Sequence, residues 1–187
     1  MRWNEDLSKI EHIKDKLHLI PMDLTDLISC IKVIDEVRPD YIYHLAAESY
    51  VPESYRRPQS YLMVNGLGTL NLLEAIRFIK ERLPFSEFTK PFDPIIHVCS
   101  SSEVYGIVEK KDLPITEHTE FKPGNAYGVS KIAEDMYGWL YFKNYDLKVL
   151  RTRFFTHSGP RRTMLSAEVN FARQIALIEK GLQEPII

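Results

Sequence analysis

Three short segments carry residues whose types and spacing suit chemistry. The first is Tyr127-Gly128-Val129-Ser130-Lys131. On a helix, positions i and i+4 share a face, so phenol and ammonium stand side by side. A lysine charge next to a tyrosine favours the phenolate and lowers its pKa, giving a base usable near neutral pH. In a chain with 10 tyrosines such a pair also arises by chance. It gains weight from the second segment upstream, Ser100-Ser101-Ser102-Glu103-Val104-Tyr105-Gly106. Three hydroxyls can bond a substrate oxygen there, and a carboxylate can move a proton. The same serines would also serve as a polar cap on local backbone. The third segment is His44-Leu45-Ala46-Ala47-Glu48-Ser49. Its small residues let a planar ligand approach the backbone, and tight helix–strand packing would need them equally.

Two of the three segments follow or border apolar runs that read as strands, and the Tyr127–Lys131 segment lies on a helix pattern. Residues 17–21, 41–46, 94–100 and 147–151 are short and apolar. Between them lie helical patterns. Residues 23–26 look like a helix start, Ile28, Ile31, Ile34 and Val37 recur at helical spacing, and Pro39 ends the run. Residues 4–16 are polar and helix-compatible. A long helix is expected over 58–82 with Val64, Leu67, Leu73, Ile76 and Ile79 inward, another over 125–145, and a last one over 166–181 with Val169, Ala172 and Ile175 inward, closed by Gly181. Alternating strands and helices predict an α/β domain with a doubly wound parallel sheet and helices on both faces. Such sheets bind ligands at the carboxyl ends of their strands, where the three segments fall. The stretches 84–94 and 106–124 read as loops.

Composition narrows the function classes. The chain has 187 residues, 44% hydrophobic and 27% charged, with a formal net charge of −2. That is ordinary for a globular domain with a core. No basic excess points to nucleic acid or to an anionic membrane. Cys30 and Cys99 are the only cysteines. They have no partners at metal-ligand spacing, so no metal is expected, and the count fits a reducing cytoplasm. No uninterrupted apolar run reaches the roughly 20 residues of a membrane helix, and no signal core follows Met1.

In this order the three segments resemble the extended short-chain dehydrogenase/reductase family of nucleotide-sugar enzymes. Asp23-Leu24 and Asn65-Gly66-Leu67-Gly68-Thr69-Leu70-Asn71-Leu72-Leu73-Glu74-Ala75 match as well. Within the family the chain is most similar to the GDP-mannose 4,6-dehydratase group, through Ser-Ser-Glu-Val-Tyr-Gly and His157-Ser158-Gly159-Pro160-Arg161-Arg162. The resemblance implies an NADP-dependent nucleotide-sugar dehydratase, with NAD as the alternative cofactor. It implies catalytic roles for Ser101 at the sugar C4 oxygen, Glu103 as the base at C5, and Tyr127 with Lys131 as the redox pair. Tyr127 and Lys131 would also hold the nicotinamide ribose. Asp23 and Leu24 would lie around the adenine, Leu45, Ala46, Ala47, Glu48 and Ser49 along the cofactor, and His157 and Arg162 on NADP. Arg2 is the only nearby candidate for a 2′-phosphate.

The implied substrate is a nucleotide-diphosphate sugar of the GDP-mannose type, and the implied assembly is a homo-oligomer through helices 58–82 and 125–145. Two departures stand out: Thr156 where the family has an asparagine, and Ser101 where it has a threonine. No Gly-x-x-Gly-x-x-Gly turn occurs, since the first of eight glycines is Gly66. The chain therefore reads as a partial NAD(P)-binding Rossmann domain over residues 1–187. The first strands and Gly-rich loop would precede Met1, the substrate region would begin after about residue 156, and the C-terminal substrate domain would follow Ile187. An epimerase, reductase or decarboxylase of the same family would need no base at Glu103, and a silent, dimerising fragment would need none of the redox residues.

Overall fold

The computed structural model describes residues 7–82, 91–159, 162 and 165–185. They fall into two compact units that divide between Phe155 and Thr156. In the first unit, a 3₁₀ turn at Glu11–Lys16 precedes α1 (Leu27–Val37), β1 (Tyr41–His44), α2 (Val51–Ser54) and α3 (Pro58–Tyr61). A π-helical segment, Leu62–Leu67, joins α3 to α4 (Gly68–Arg82), and β2 (Ile95–Ser101), α5 (Ala126–Tyr145) and β3 (Lys148–Phe154) complete it. The strands form a parallel sheet in the order β1-β2-β3, with Tyr41 opposite Ile95 and His97 opposite Leu150. This is a Rossmann-like α/β sheet.

The core lies between the sheet and the α1, α4 and α5 layer. Ile96 and Val98 of β2 are fully buried, against Leu73, Ile76 and Ala75 of α4, Cys30 and Ile34 of α1, and Tyr141 of α5. Period-2 alternation sends Ile95 and His97 to the other face, where Tyr43, Ile95 and Leu150 stay exposed. That face carries a row of rings, with His97 edge-on to Tyr43 at 5.9 Å and to Phe154 at 5.8 Å. The expectation of helices on both faces is met on one face only within this unit. The reason is topological: right-handed crossovers that step in one direction along a sheet deliver their helices to a single face, and the second face is served only where the strand order reverses.

Several sequence expectations shift. Residues 17–21 form no strand, because a strand exists by pairing and this stretch finds no neighbour among the described residues. The polar start, 4–16, becomes the 3₁₀ turn, and residues 1–6 lie outside the described set, Arg2 among them. In α1 the buried face is Cys30 and Ile34, whereas Ile28 and Val37 are exposed, since a strict spacing of three drifts around a 3.6-residue helix. Leu67 is exposed because the π segment adds a residue to the turn and rotates the positions after it. The stretch Pro58–Arg82 is long and apolar enough to cross a membrane by length and composition, yet its apolar face, Leu72, Leu73, Ile76 and Ile79, fills the core. Most of the loop at 84–94 lies outside the described residues.

The second unit holds α6 (Ala167–Glu179). Gly181, at φ +67°, closes it, donating to Ile178 O while Leu182 N bonds Leu177 O. Its expected inward face is not buried: no α6 residue is, and Ala172 and Ile175 are exposed. An amphipathic stripe buries only against a second element, and α6 is the one helix or strand described within this unit.

Candidate functional site

The carboxyl ends of β1 and β2 meet the first turns of α5, and one asparagine ties two of these elements together. Asn125 is extended (φ −153°) and caps α5: its Oδ1 accepts from Gly128 N at 2.7 Å. Its Nδ2 donates to Glu103 Oε2 at 2.7 Å. The turn that carries Tyr127 therefore also aims the Glu103 carboxylate. Gly128 has to be glycine for this approach, since a Cβ there would lie 2.7 Å from the Glu103 carbonyl oxygen.

The serines take the backbone bonds foreseen for them. Ser101 Oγ accepts from Glu103 N at 3.2 Å, capping the 3₁₀ turn Ser102–Val104. Ser100 Oγ donates to the Lys131 carbonyl at 3.0 Å and so locks β2 to α5.

Lys131 is buried, with its ammonium donating to Cys99 O and to Glu134 Oε2, both at 2.6 Å. It lies 6.0 Å from the centroid of the Tyr127 ring, which also packs edge-on against Tyr61 at 6.4 Å. The lysine was expected to lower the Tyr127 pKa. Instead burial pushes the phenol up, and the Glu134 carboxylate adds to the rise against the pull of Ser101. Lys131 is turned to Glu134, so most of its field is cancelled at short range.

A second asparagine holds the loop after β1. Asn65, fully buried in the π segment, accepts from Glu48 N at 2.8 Å and donates to Glu48 O at 2.9 Å and to Ser130 Oγ at 2.8 Å. Ser130 in turn donates to Tyr127 O at 2.7 Å. The loop Leu45–Ser49 is thus pinned to the turn that carries the tyrosine. Leu45, Ala46 and Ser49 are left exposed, and Ala47 and Glu48 half-buried. His44 is buried beneath it, with Nε2 2.8 Å from Thr69 Oγ1. The Thr69 hydroxyl gives its hydrogen to Asn65 O at 2.6 Å, so His44 Nε2 is the donor in that pair. Burial, with Lys131 nearby, holds the His44 pKa down at about 4, and the ring is neutral.

The structure thus brings Ser101, Glu103, Tyr127 and Lys131 to one shelf and ties Glu48 to it. Asp23 and Leu24 stand at the entry to α1. The exposed Asp23 carboxylate accepts from Thr25 N and Oγ1, which lowers its pKa, and buried Leu24 takes a bond from Asn71 Nδ2 at 2.8 Å. His157 and Arg162 belong to the second unit. There the Arg162 guanidinium donates to the His157 carbonyl and to Ser166 Oγ at 2.7 Å, and pairs with Glu168 at 2.8 Å. Arg161 lies outside the described residues. Among the described residues no cluster of three or more His, Cys, Asp or Glu could hold a metal.

Three residues at this shelf were given no role from the sequence: Asn65, Asn125 and Glu134. Asn125 directly before a helical run is an N-cap signal, and Asn65 opens the Asn-Gly-x-Gly stretch. Glu134, one turn past Lys131, gives no such signal.

The GDP-mannose 4,6 dehydratase family matches the chain over residues 2–187. The GDP-mannose 4,6-dehydratase of Vibrio cholerae serotype O1 is 34% identical over 174 residues, covering 93% of this chain and 43% of that protein. The GDP-6-deoxy-D-mannose reductase of Pseudomonas aeruginosa is 37% identical over 145 residues, covering 78% of this chain and 44% of that protein. Among solved structures, RMD from Pseudomonas aeruginosa complexed with NADPH superposes with a TM-score of 0.76 at 36% identity, over 88% of this chain and 51% of that one. The chain spans less than half the length of the curated relatives it matches. A parallel sheet whose strand ends gather Ser101, Glu103, Tyr127 and Lys131, together with a family match over nearly every residue, makes this chain a member of the GDP-mannose 4,6 dehydratase family.

Proposed function

We propose that this chain is the central part of a nucleotide-sugar 4,6-dehydratase that acts on a GDP-mannose-type substrate. The observation that carries the reading is the Glu103 carboxylate, held at 2.7 Å by the asparagine that caps the tyrosine's own helix. Dehydration needs a base at C5 and a second group at the C4 oxygen, and this link fixes the two with respect to each other. Tyr127 takes the proton from the C4 hydroxyl while Ser101 holds the same oxygen. Glu103 then takes the C5 proton, made acidic by the C4 ketone, and passes it to the departing C6 hydroxyl, which leaves as water. A bound nicotinamide nucleotide supplies the hydride acceptor at C4 and the donor at C6.

The donor set suits the ribose end of such a nucleotide: a buried ammonium with one N–H left after Cys99 and Glu134, beside a phenol and a hydroxyl. NADP is favoured by the NADPH found with a 36% identical structure. Asp23, Leu24, Leu45, Ala46, Ala47, Glu48 and Ser49 would line the rest of that ligand. Exposed Leu62, Met63 and Leu67 on one helix run and Trp139, Leu140 and Phe142 on α5 support a homo-oligomer through 58–82 and 125–145. Two free cysteines suit a cytoplasmic protein.

The test is to give the whole protein that contains this chain GDP-mannose and NADP⁺ and track the sugar by NMR. A 4-keto-6-deoxy product supports the reading, and no conversion sinks it. The 37% identical reductase favours a second reading, in which the protein reduces a 4-keto-6-deoxy sugar. NADPH consumption on that ketone with no action on GDP-mannose would decide for it.

A further inference from the structure

We propose that Glu134 is the positioning residue of the Tyr127–Lys131 pair: its carboxylate holds the Lys131 ammonium against the Cys99 carbonyl, and Lys131 turns to Tyr127 when that ion pair loosens. This deepens the function proposed above and rests on Tyr127 and Lys131 being the proton-transfer pair.

The geometry comes first. Glu134 sits one helical turn beyond Lys131 and is 1% exposed. The contact is 2.6 Å, with both side chains nearly dry. Two of the ammonium's three donors are thereby directed at Cys99 O and Glu134 Oε2, and the phenol is left with the ring-face distance of 6.0 Å. A lysine so engaged cannot act at full strength on the tyrosine beside it, because a paired charge in a dry site looks nearly neutral from outside the pair.

The neighbours decide what loosens it. On α5 these are Lys131, Asp135 and Tyr127, on β2 Cys99, and on β1 His44. Asp135 is closed off by Arg151 and by Arg153, which approaches at 2.7 Å. His44 is held neutral and the Cys99 thiol is pushed up by burial. Burial outweighs the pull of Lys131 on Glu134 and raises its pKa to about 7. In this set Glu134 is the group that exchanges its proton near neutrality. Once it takes one up, the ammonium loses its balancing charge and its attraction falls on the phenol oxygen, which favours the phenolate. An ion pair that only stabilised the helix would leave the tyrosine's titration unmoved.

The test observes the Tyr127 phenol directly, by NMR of the whole protein labelled with ¹³C at the tyrosine Cζ, with Tyr127→Phe identifying the signal. No substrate, cofactor or turnover is involved, so a failed dehydratase assignment shows up elsewhere, as absent product. In Glu134→Gln the volume and one acceptor are kept and the charge is lost. The midpoint of phenolate formation should then fall by at least about 0.5 in pH relative to the parent. In Lys131→Met/Glu134→Gln it should return to the parental value or above. An unmoved midpoint in the single variant overturns the proposal, and so does a double variant that titrates like the single one. If Glu134→Gln does not fold, the parent alone decides. The Glu134 carboxyl carbon and the Lys131 ammonium nitrogen should move with one midpoint between about pH 5 and 8, and a Lys131 signal indifferent to Glu134 overturns the inference.

Discussion

Replacing Asn65 by aspartate keeps the shape and the acceptor that receives Glu48 N, and removes one amide. That amide now gives hydrogens to Glu48 O at 2.9 Å and to Ser130 Oγ at 2.8 Å, in a residue with no exposed surface. The two acceptors lose their donor and face a carboxyl oxygen instead. Leaving a buried acceptor unmet costs about 1–3 kcal/mol, so the pair amounts to about 2–6 kcal/mol, a large share of the 5–15 kcal/mol typical of a domain. Burial raises the pKa of the new carboxyl above its unfolded value. Its protonated form restores one donor, so stability is retained at low pH and lost as pH rises through the folded pKa. Urea unfolding monitored by circular dichroism, run on parent and Asn65→Asp at pH 5 and pH 8, measures both effects. A midpoint difference equivalent to under about 1 kcal/mol at pH 8, or one independent of pH, would refute the claim that Asn65 carries the loop after β1.

The same shelf sets other expected outcomes. Tyr127→Phe keeps the ring packed on Tyr61 and removes the proton acceptor, so turnover of the whole protein should drop at least about 10²-fold, and near-parental turnover would make the tyrosine structural. Glu103→Gln should stop the 6-deoxy product while still permitting C4 oxidation, seen as reduced cofactor or a C5-protonated ketone, whereas parental product formation would remove the dehydratase assignment. Glu134, raised from 4.5 to about 7, binds its proton more tightly folded than unfolded, so its contribution to stability is present below about pH 4.5 and is lost as pH rises through 7. That is about 3 kcal/mol over the window, and the parent should lose that much relative to Glu134→Gln in unfolding runs across it. The 187 residues alone, without a glycine-rich turn to cradle a pyrophosphate, should bind NADP⁺ orders of magnitude more weakly than the whole protein, and micromolar binding by calorimetry would contradict this.

The features legible in the sequence were periodic or strongly typed. The Tyr-x-x-x-Lys spacing needs only a helix to become a cluster, and α5 begins within a residue of its expected start because Asn125 is a strong cap. Strand β2 stood out as an apolar run and brings Ser101 to its carboxyl end, with Glu103 in the turn that follows. The features that stayed hidden depend on partners far along the chain. Leu17 to Pro21 is apolar enough for a strand but has no ladder to join among the described residues. The rise in the Tyr127 pKa depends on which way Lys131 turns, and that is decided by Glu134, which looks in sequence like any helix glutamate. Asn65 opens a run that matches the family, but its role shows only when folding buries it beside a loop and a serine 17 and 65 residues away.

The π segment at Leu62–Leu67 bears on how this region can change over generations. A π turn is an α-helix with one residue too many, so excising any residue from it lets the ladder return to i→i−4 bonding and swings everything upstream by about 100° about the axis. Tyr61, 2% exposed against the Tyr127 ring, would be carried off that contact, and Asn65 would lose its aim at Glu48 and Ser130. Substitution is another matter: Leu62 and Met63 are half exposed and tolerate exchange for other helix formers. This stretch should therefore accept new letters far more readily than a change in their number, and the count of residues from Tyr61 to Gly68 is itself an inherited part of the site.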